Sequence, residues 1–82
     1  MQKELFSVFD KKTNIWSDPY PYIKKGEAIR AFQGTANDKN SQIGVYPEDF
    51  ELYHIGTMNN EPIKIVTLPE PVYVIGAKDL LK

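Results

Sequence analysis

The side chains best suited to chemistry in this sequence are the cations and aromatic rings of residues 11–30. This segment holds five cations and three large rings: Lys11, Lys12, Trp16, Tyr20, Tyr22, Lys24, Lys25 and Arg30. Proteins that bind single-stranded nucleic acids combine cations that follow the phosphates with flat rings on which bases stack, at about 1–3 kcal/mol per base. The segment therefore predicts a nucleic-acid site in which the cations contact phosphates and the rings stack on bases. The alternative is structural: the rings anchor a long loop to the core while the lysines keep it in solvent.

The net charge of −1 conceals an uneven distribution of charged residues. Residues 1–40 contain seven Lys or Arg and five Asp or Glu, whereas residues 41–82 contain three and six. Residues 11–30 have the clearest positive excess, with five basic and two acidic side chains. A split of this kind predicts one side that faces a polyanion and an acidic half that points away from it. The excess is nevertheless far smaller than in a dedicated duplex-binding module.

Other residue types that carry chemistry are sparse. His54 is the single histidine and cysteine is absent, which excludes disulfides, thiol catalysis and thiolate metal sites. Because His54 lies in a predicted strand beside apolar residues, we interpret it as a structural, hydrogen-bonded histidine. Asp49 and Glu51 could bind a hard cation or act as an acid/base pair from one strand face; the alternative is a solvated strand entrance after Pro47. We expect no catalytic residue, no metal and no cofactor, and therefore a protein that is not an enzyme.

Length and composition predict a single small domain over residues 1–82, with 41% hydrophobic residues as in ordinary globular proteins. No apolar run approaches the ~20 residues that span a bilayer, and the N-terminus lacks the apolar core of a secretory signal, so we expect no membrane partner. A domain this small without disulfides often gains buried core area by self-association, so we expect a homodimer or a larger homo-oligomer. Residues 72–77 or the first strand would provide the exposed edge for that pairing.

The elements that position the basic and aromatic side chains follow from the periodicity of the first half. Phe6 and Val8 share one face of a strand over residues 4–10, and the other face is also partly apolar, which predicts an interior strand. Pro19 and Pro21 prevent any long regular element over residues 11–24. We therefore expect a structured loop there, with a short strand around residues 14–16.

A helix of about three turns is predicted over residues 26–37. Its apolar stripe consists of Ala28, Ile29, Phe32 and Ala36. Glu27 lies in the first turn, where a carboxylate meets the favourable end of the helix dipole. Gly34 costs about 1 kcal/mol relative to Ala in a helix interior, so it marks either close packing or the end of the helix. A helix this short must be held on a sheet through its Phe32 face.

The second half predicts three strands, over residues 49–57, 63–68 and 72–77. Residues 58–61 predict a hairpin connection, and the prolines within residues 68–71 end the second of these strands before the last one begins. The fold class is therefore α+β, a mainly antiparallel β-sheet with one α-helix packed on one face. The predicted core comprises Phe6, Val8, Ile29, Phe32, Phe50, Leu52, Ile65 and Val74.

The sequences of several segments resemble those of a known viral family. These segments are LFSVFD near the N-terminus, GEAIRAF on the helix, TANDKNS after it, and YPEDFELYHIG at the next strand. In order and spacing they resemble the small nonstructural protein of gokushoviruses, tailless Microviridae phages with circular single-stranded DNA genomes. The resemblance implies a DNA-binding regulator of genome replication, or of the switch to single-stranded DNA synthesis and packaging, in the host cytoplasm. It brings no catalytic residue with it.

A second function class stays open at this point. The near-neutral charge favours a protein–protein interaction module that docks on a replication initiator, a procapsid or a host factor without contacting DNA. The two classes differ in a measurable way, because phosphate contacts make binding fall steeply with salt whereas a protein-docking module would not retain DNA even at low salt.

Overall fold

The computed structural model describes residues 1–82 as one antiparallel sheet with a helix on one face. The strands are β1 Gln2–Asp10, β2 Ile15–Trp16, β3 Tyr20–Tyr22, β4 Phe50–Asn60 and β5 Ile63–Gly76. The helices are α1 Lys25–Ala36 and the single turn α2 Gln42–Val45, and 3-10 turns form at Pro47–Asp49 and Ala77–Leu80. The predicted α+β class is confirmed. None of the helices is long and apolar enough to cross a membrane.

β1 is the strand on which the sheet is built. One of its edges pairs with β4, and the other pairs first with β3 and then with β2, all antiparallel. β5 pairs with the far side of β4 and is the last strand of the sheet. The predicted interior position of the first strand is confirmed, and so is the short strand expected around residues 14–16.

The core lies between α1 and one face of β1 and β4. Ala28, Phe32 and Ala36 pack from the helix onto the sheet residues Phe6, Val8 and Leu52, and Ala77 closes one end. The predicted apolar stripe of the helix is therefore the buried one. Of the predicted core, Phe6, Val8, Phe32 and Leu52 are buried, and Ile29, Phe50 and Val74 pack against them half-buried.

Ile65 was the wrong member of the predicted core, since its side chain is 60% exposed. It pairs with Met58 in the outer part of the β4–β5 hairpin, whereas the helix covers the part of the sheet around Leu52. The register shift at Ile55 puts Ile65 out of phase with Phe6. Ile65 pairs with Met58 and Met58 pairs with Lys3, so Ile65 lies on the face of Leu5, opposite α1.

The prediction of three strands in the second half was also wrong. β4 runs through residues 58–60, the turn consists of Glu61 and Pro62 alone, and β5 continues through the prolines as one strand. The pairing shifts where His54 faces Val72 and Gly56 faces Thr67, so that residues 68–71 bulge opposite Ile55. Prolines are tolerated here because an edge strand does not need every backbone N–H for the ladder.

The ends of α1 are fixed by side chains near it in sequence and by the C-terminus. The backbone N–H of Lys24 donates to the Glu27 carboxylate at 3.1 Å, which caps the first turn. At the other end, Asn37 Nδ2 donates to the Leu80 carbonyl at 3.0 Å and the Lys82 N–H donates to Asn37 Oδ1 at 2.9 Å. The predicted helix bounds are thus confirmed within one residue at each end.

Gly34 neither packs closely nor ends the helix. It is exposed, the helix continues to Ala36, and a Cβ built at Gly34 has no neighbouring atom within 4 Å. Gly34→Ala should therefore raise the free energy of unfolding by about 0.5–1 kcal/mol, because alanine loses less backbone entropy in a helix. Urea unfolding followed by circular dichroism measures the change.

Gly44→Ala is the matched control for this substitution. A Cβ at Gly44 would meet the backbone carbonyl of Asp38, so the same chemical change should destabilise the fold at that position. A Gly34→Ala variant that unfolds more easily than the natural chain would contradict the helix packing described above.

Candidate nucleic-acid interface

The face of the sheet opposite α1 carries four aromatic side chains in mutual contact. This open-face cluster consists of Phe9, Trp16, Tyr53 and Tyr73, one from each of the four strands β1, β2, β4 and β5. The ring centroids of Phe9 and Trp16 are 4.6 Å apart, those of Trp16 and Tyr53 5.0 Å, and those of Tyr53 and Tyr73 5.7 Å. The strand register produces this row, because Phe9 pairs with Trp16 and Tyr53 pairs with Tyr73 across neighbouring strands.

The cluster is open to a ligand at both ends. Trp16 is 42% exposed and Tyr73 is 50% exposed, while Phe9 and Tyr53 between them are half-buried. Half-buried rings of this kind hold their neighbours in fixed orientations, and an exposed ring in a fixed orientation can stack on a base at low cost in side-chain entropy.

A short polar chain connects the cluster to a cation. The Tyr53 hydroxyl donates to Glu51 Oε1 at 3.1 Å, and Glu51 Oε2 lies 3.5 Å from Lys11 Nζ. Burial raises the pKa of the Tyr53 phenol, and the hydrogen bond to Glu51 and the charges of Glu51 and Tyr73 raise it further. Tyr53 is therefore a neutral donor at physiological pH, and it holds Glu51 in the position that contacts Lys11.

The predicted aromatic residues do not share one surface. Trp16 belongs to the open face, whereas Tyr20 and Tyr22 pair with Phe6 and Glu4 and lie on the helix side of the sheet. There they line an apolar cavity of about 110 Å³ together with Phe32 and other core residues, and the Tyr22 ring is 6.3 Å from that of Phe6. The two tyrosines pack toward the helix side, as the loop-anchoring alternative expects. Trp16 packs on Phe9 and Tyr53, which fits the same alternative, and it is also the one predicted ring on the open face.

Ser17 holds the segment between these rings against β1. Its N–H donates to the Val8 carbonyl at 2.9 Å and its Oγ accepts from the Val8 N–H at 2.9 Å, so it continues the pairing of β2. The buried Ser7 hydroxyl donates to the Ser17 carbonyl at 2.8 Å. The chain then resumes pairing with Tyr20 opposite Phe6, on the other face from Trp16.

The predicted cations form two separate groups. Lys11 and Lys12 occupy the turn after β1, next to the open-face cluster, and Lys24 and Lys25 begin α1. Asp10 of β1 lies next to the first pair, and Glu4 of β1 pairs with Tyr22 just before the second. Asp10 and Glu4 are six residues apart, which separates the two groups by about 20 Å along the strand. Arg30 is exposed on α1. Apart from Lys11, none of the five predicted cations forms an ion pair within the chain.

The other titratable residues considered from sequence have structural surroundings. His54 Nε2 lies 3.0 Å from Glu4 Oε1 and 3.0 Å from the Gly56 carbonyl, and its ring is 5.2 Å from that of Phe6. Asp49 lies in the 3-10 turn before β4, so it does not share a strand face with Glu51 as the sequence suggested. No group of three or more His, Asp or Glu side chains is arranged to hold a metal ion.

Phe9, Tyr53 and Tyr73 are the candidate residues that sequence reasoning missed. The alternation within each strand was visible, and it already set Phe9 apart from Phe6 and Val8. The missing information was the register between strands that are distant in sequence, which brings Phe9, Tyr53 and Tyr73 together. In each predicted strand, alternate residues face away from the core. A search for aromatic residues at those positions finds all three.

Comparison with known proteins gives a single result. No curated protein and no solved structure matches the sequence. A family model, that of the phage ORF5 protein, matches residues 3–80 and thus nearly the whole chain, including every strand of the open face. The chain therefore belongs to the phage ORF5 protein family.

Proposed function

We propose that this phage protein is a non-enzymatic DNA-binding protein that regulates viral genome replication or the switch to single-stranded DNA synthesis and packaging. The observation that carries the proposal is the open-face cluster, a fixed row of aromatic rings on the uncovered side of a sheet. The resemblance to gokushoviruses of the Microviridae supports single-stranded DNA as the ligand, because such a genome offers unpaired bases in the host cytoplasm.

The rings favour a single strand over a duplex. Every base has a flat face that can stack on an aromatic side chain, but in a duplex these faces are already stacked on one another. Trp16 and Tyr73 stand at the two ends of the row and are its most exposed members. A strand that crosses the sheet from β2 to β5 would meet both.

The cations support the same orientation of the ligand. Lys12 is exposed at the Trp16 end and unpaired, and Lys11 can exchange its contact with Glu51 for a phosphate. Lys24, Lys25 and Arg30 lie toward the other end of β1, so a strand would reach them only by following the β2–β3 edge. The modest number of cations fits binding that gains much of its energy from stacking.

A protein-docking module is the second candidate function. Ile63, Ile65 and Val66 of β5 are exposed and apolar, at a distance from the open-face cluster along the same strand. Exposed apolar residues on an unpaired edge are typical of a surface that pairs with another protein chain. This candidate needs no contact with DNA.

The open-face cluster contains the only tryptophan of the chain, so binding can be followed by intrinsic fluorescence. Titration with oligothymidylate should quench Trp16, because a stacked base contacts its ring. Tyr73→Ala should weaken binding by roughly 5- to 100-fold, the equivalent of one lost stacking contact. Tyr46→Ala is the matched control, since Tyr46 is equally exposed but lies outside the cluster. Equal affinities for the Tyr73 and Tyr46 variants would contradict the proposed surface.

The two lysine pairs can be separated by the salt dependence of binding. Each phosphate contact on a single strand contributes about 0.7 to the slope of log affinity against log salt. Lys11→Ala/Lys12→Ala and Lys24→Ala/Lys25→Ala should each weaken binding and flatten that slope by up to roughly 1.4. Lys78→Ala/Lys82→Ala removes the same charge from the acidic half and should leave the slope unchanged. A natural chain that binds no oligonucleotide at low salt would exclude the DNA-binding function and leave the docking function.

A further inference from the structure

The sheet has one long free edge, which belongs to β5. β4 pairs with one side of this 14-residue strand, and nothing pairs with the other. The opposite edge of the sheet is closed by β2 and β3, which are two and three residues long and are interrupted by Pro19 and Pro21. Short, proline-containing edge strands protect a sheet from further pairing, so only β5 offers a template for an added strand.

The turn of the hairpin determines which backbone groups of β5 point outward. Asn60 pairs with Ile63 across the two-residue turn. If this pair were not hydrogen-bonded, the next pair, Glu61 with Pro62, would have to be, and Pro62 has no N–H. Asn60 and Ile63 must therefore exchange their own N–H and carbonyl groups, and the pairs alternate from there. Ile65 and Thr67 point their backbone groups toward β4. The N–H and carbonyl groups of Lys64 and Val66, and the N–H of Leu68, point toward the free edge.

The prolines divide this edge into two parts. Pro69 and Pro71 lie in the bulge of residues 68–71, and the ladder with β4 resumes at Val72. The part before the bulge is the more exposed, with Ile63 77% exposed, Ile65 60% and Val66 49%, whereas Val74 to Gly76 are half-buried or buried. Both faces of this first part are uncovered, because α1 lies over the other end of the sheet. A strand added here would satisfy the outward backbone groups and cover these side chains.

We propose that the occupant is a second copy of this chain, paired antiparallel through residues 63–68 with Val66 on the two-fold axis. In this register Val66 faces Val66, and Lys64 faces Leu68 of the second copy. It is the one register that pairs all three outward-facing residues with one another. Ile65 then lies opposite Thr67, whose methyl group it can contact, and Ile63 lies opposite the apolar ring of Pro69.

Symmetry explains why a second copy fits this edge. A two-fold pairing uses the single free edge of each copy and leaves none, so the assembly closes as a dimer. Pairing centred on Lys64 would place two ammonium groups opposite each other, which is unfavourable. Centring on Val66 avoids that contact and brings Lys64 within a diagonal step of Glu70 of the second copy.

The dimer would also present both open-face clusters on the same side. Antiparallel strands are related by an axis perpendicular to the sheet, so the two sheets join without turning over. Val66 pairs with Thr57 and Tyr73 pairs with Tyr53. Thr57 and Tyr53 are four residues apart on β4, so Val66 and Tyr73 are separated by about 13 Å along the strands. The two clusters would therefore lie about 25 Å apart along the joined strands. This consequence alone rests on the proposed function; the dimer itself does not.

The absence of cysteine from the natural chain allows a direct test. Facing residues in a hydrogen-bonded antiparallel pair have Cα atoms about 5.5 Å apart, within the range that a disulfide spans. Val66→Cys should form a covalent dimer under mild oxidation. Lys64→Cys is the matched control and should not, because two copies of residue 64 lie four residues apart along the strands, about 13 Å.

Light scattering of the uncross-linked natural chain, at tens of micromolar and without nucleic acid, supplies the second measurement. The expected mass is twice the 9.4 kDa of one chain. A mass of 9.4 kDa would overturn the dimer, and faster cross-linking at Lys64, Ile65 or Thr67 than at Val66 would overturn this register. Because no DNA is present, either failure is distinguishable from a failure of the proposed DNA binding.

Discussion

The hydrogen bonds between Ser7 and Ser17 are the interaction on which the arrangement of the aromatic side chains depends. Ser7 is only 2% exposed, and its hydroxyl lies 2.8 Å from the Ser17 carbonyl and 3.2 Å from the Ser17 hydroxyl. Removing one partner of a buried hydrogen bond costs about 1–3 kcal/mol, so the loop is firmly held at this point. Trp16 pairs with Phe9 and Tyr20 with Phe6, so the held segment contains one residue more than β1 does and the two rings face opposite sides of the sheet.

This division gives the two faces of the sheet different roles. One helix of twelve residues is enough to bury Phe6, Val8 and Leu52, with Tyr20 and Tyr22 packed beside it. The helix cannot cover the other face, and the sequence places aromatic rings there instead of a second apolar layer. Those rings pack against each other at the centre and stay exposed at both ends. A structural cluster and a binding surface can therefore be the same group of residues.

The sequence predicted the local elements better than the surface they form. The helix, the interior first strand and most of the core follow from periodicity, because each depends on neighbours within about ten residues. The continuous β5 was missed because proline breaks a central strand but not an edge strand, and nothing in the local sequence says which strand is at the edge. The basic surroundings of Trp16 predict it as a stacking residue, whereas grouping Phe9, Tyr53 and Tyr73 with it requires the strand register. The core prediction fails at Ile65 because the register shift at Ile55 reverses the faces of the outer hairpin, which local alternation does not reveal.

The proposed binding of single-stranded DNA to the helix-free face depends on the open-face cluster. The most direct measurement is a titration of the ¹⁵N-labelled protein with oligothymidylate, followed by the backbone amide and tryptophan indole signals. The largest shifts should map to the Trp16 indole and to the strand residues around Phe9, Tyr53 and Tyr73, with the buried side of α1 unchanged. Shifts confined to the helix side around Tyr20 and Tyr22, or no shifts at low salt, would contradict the proposed binding.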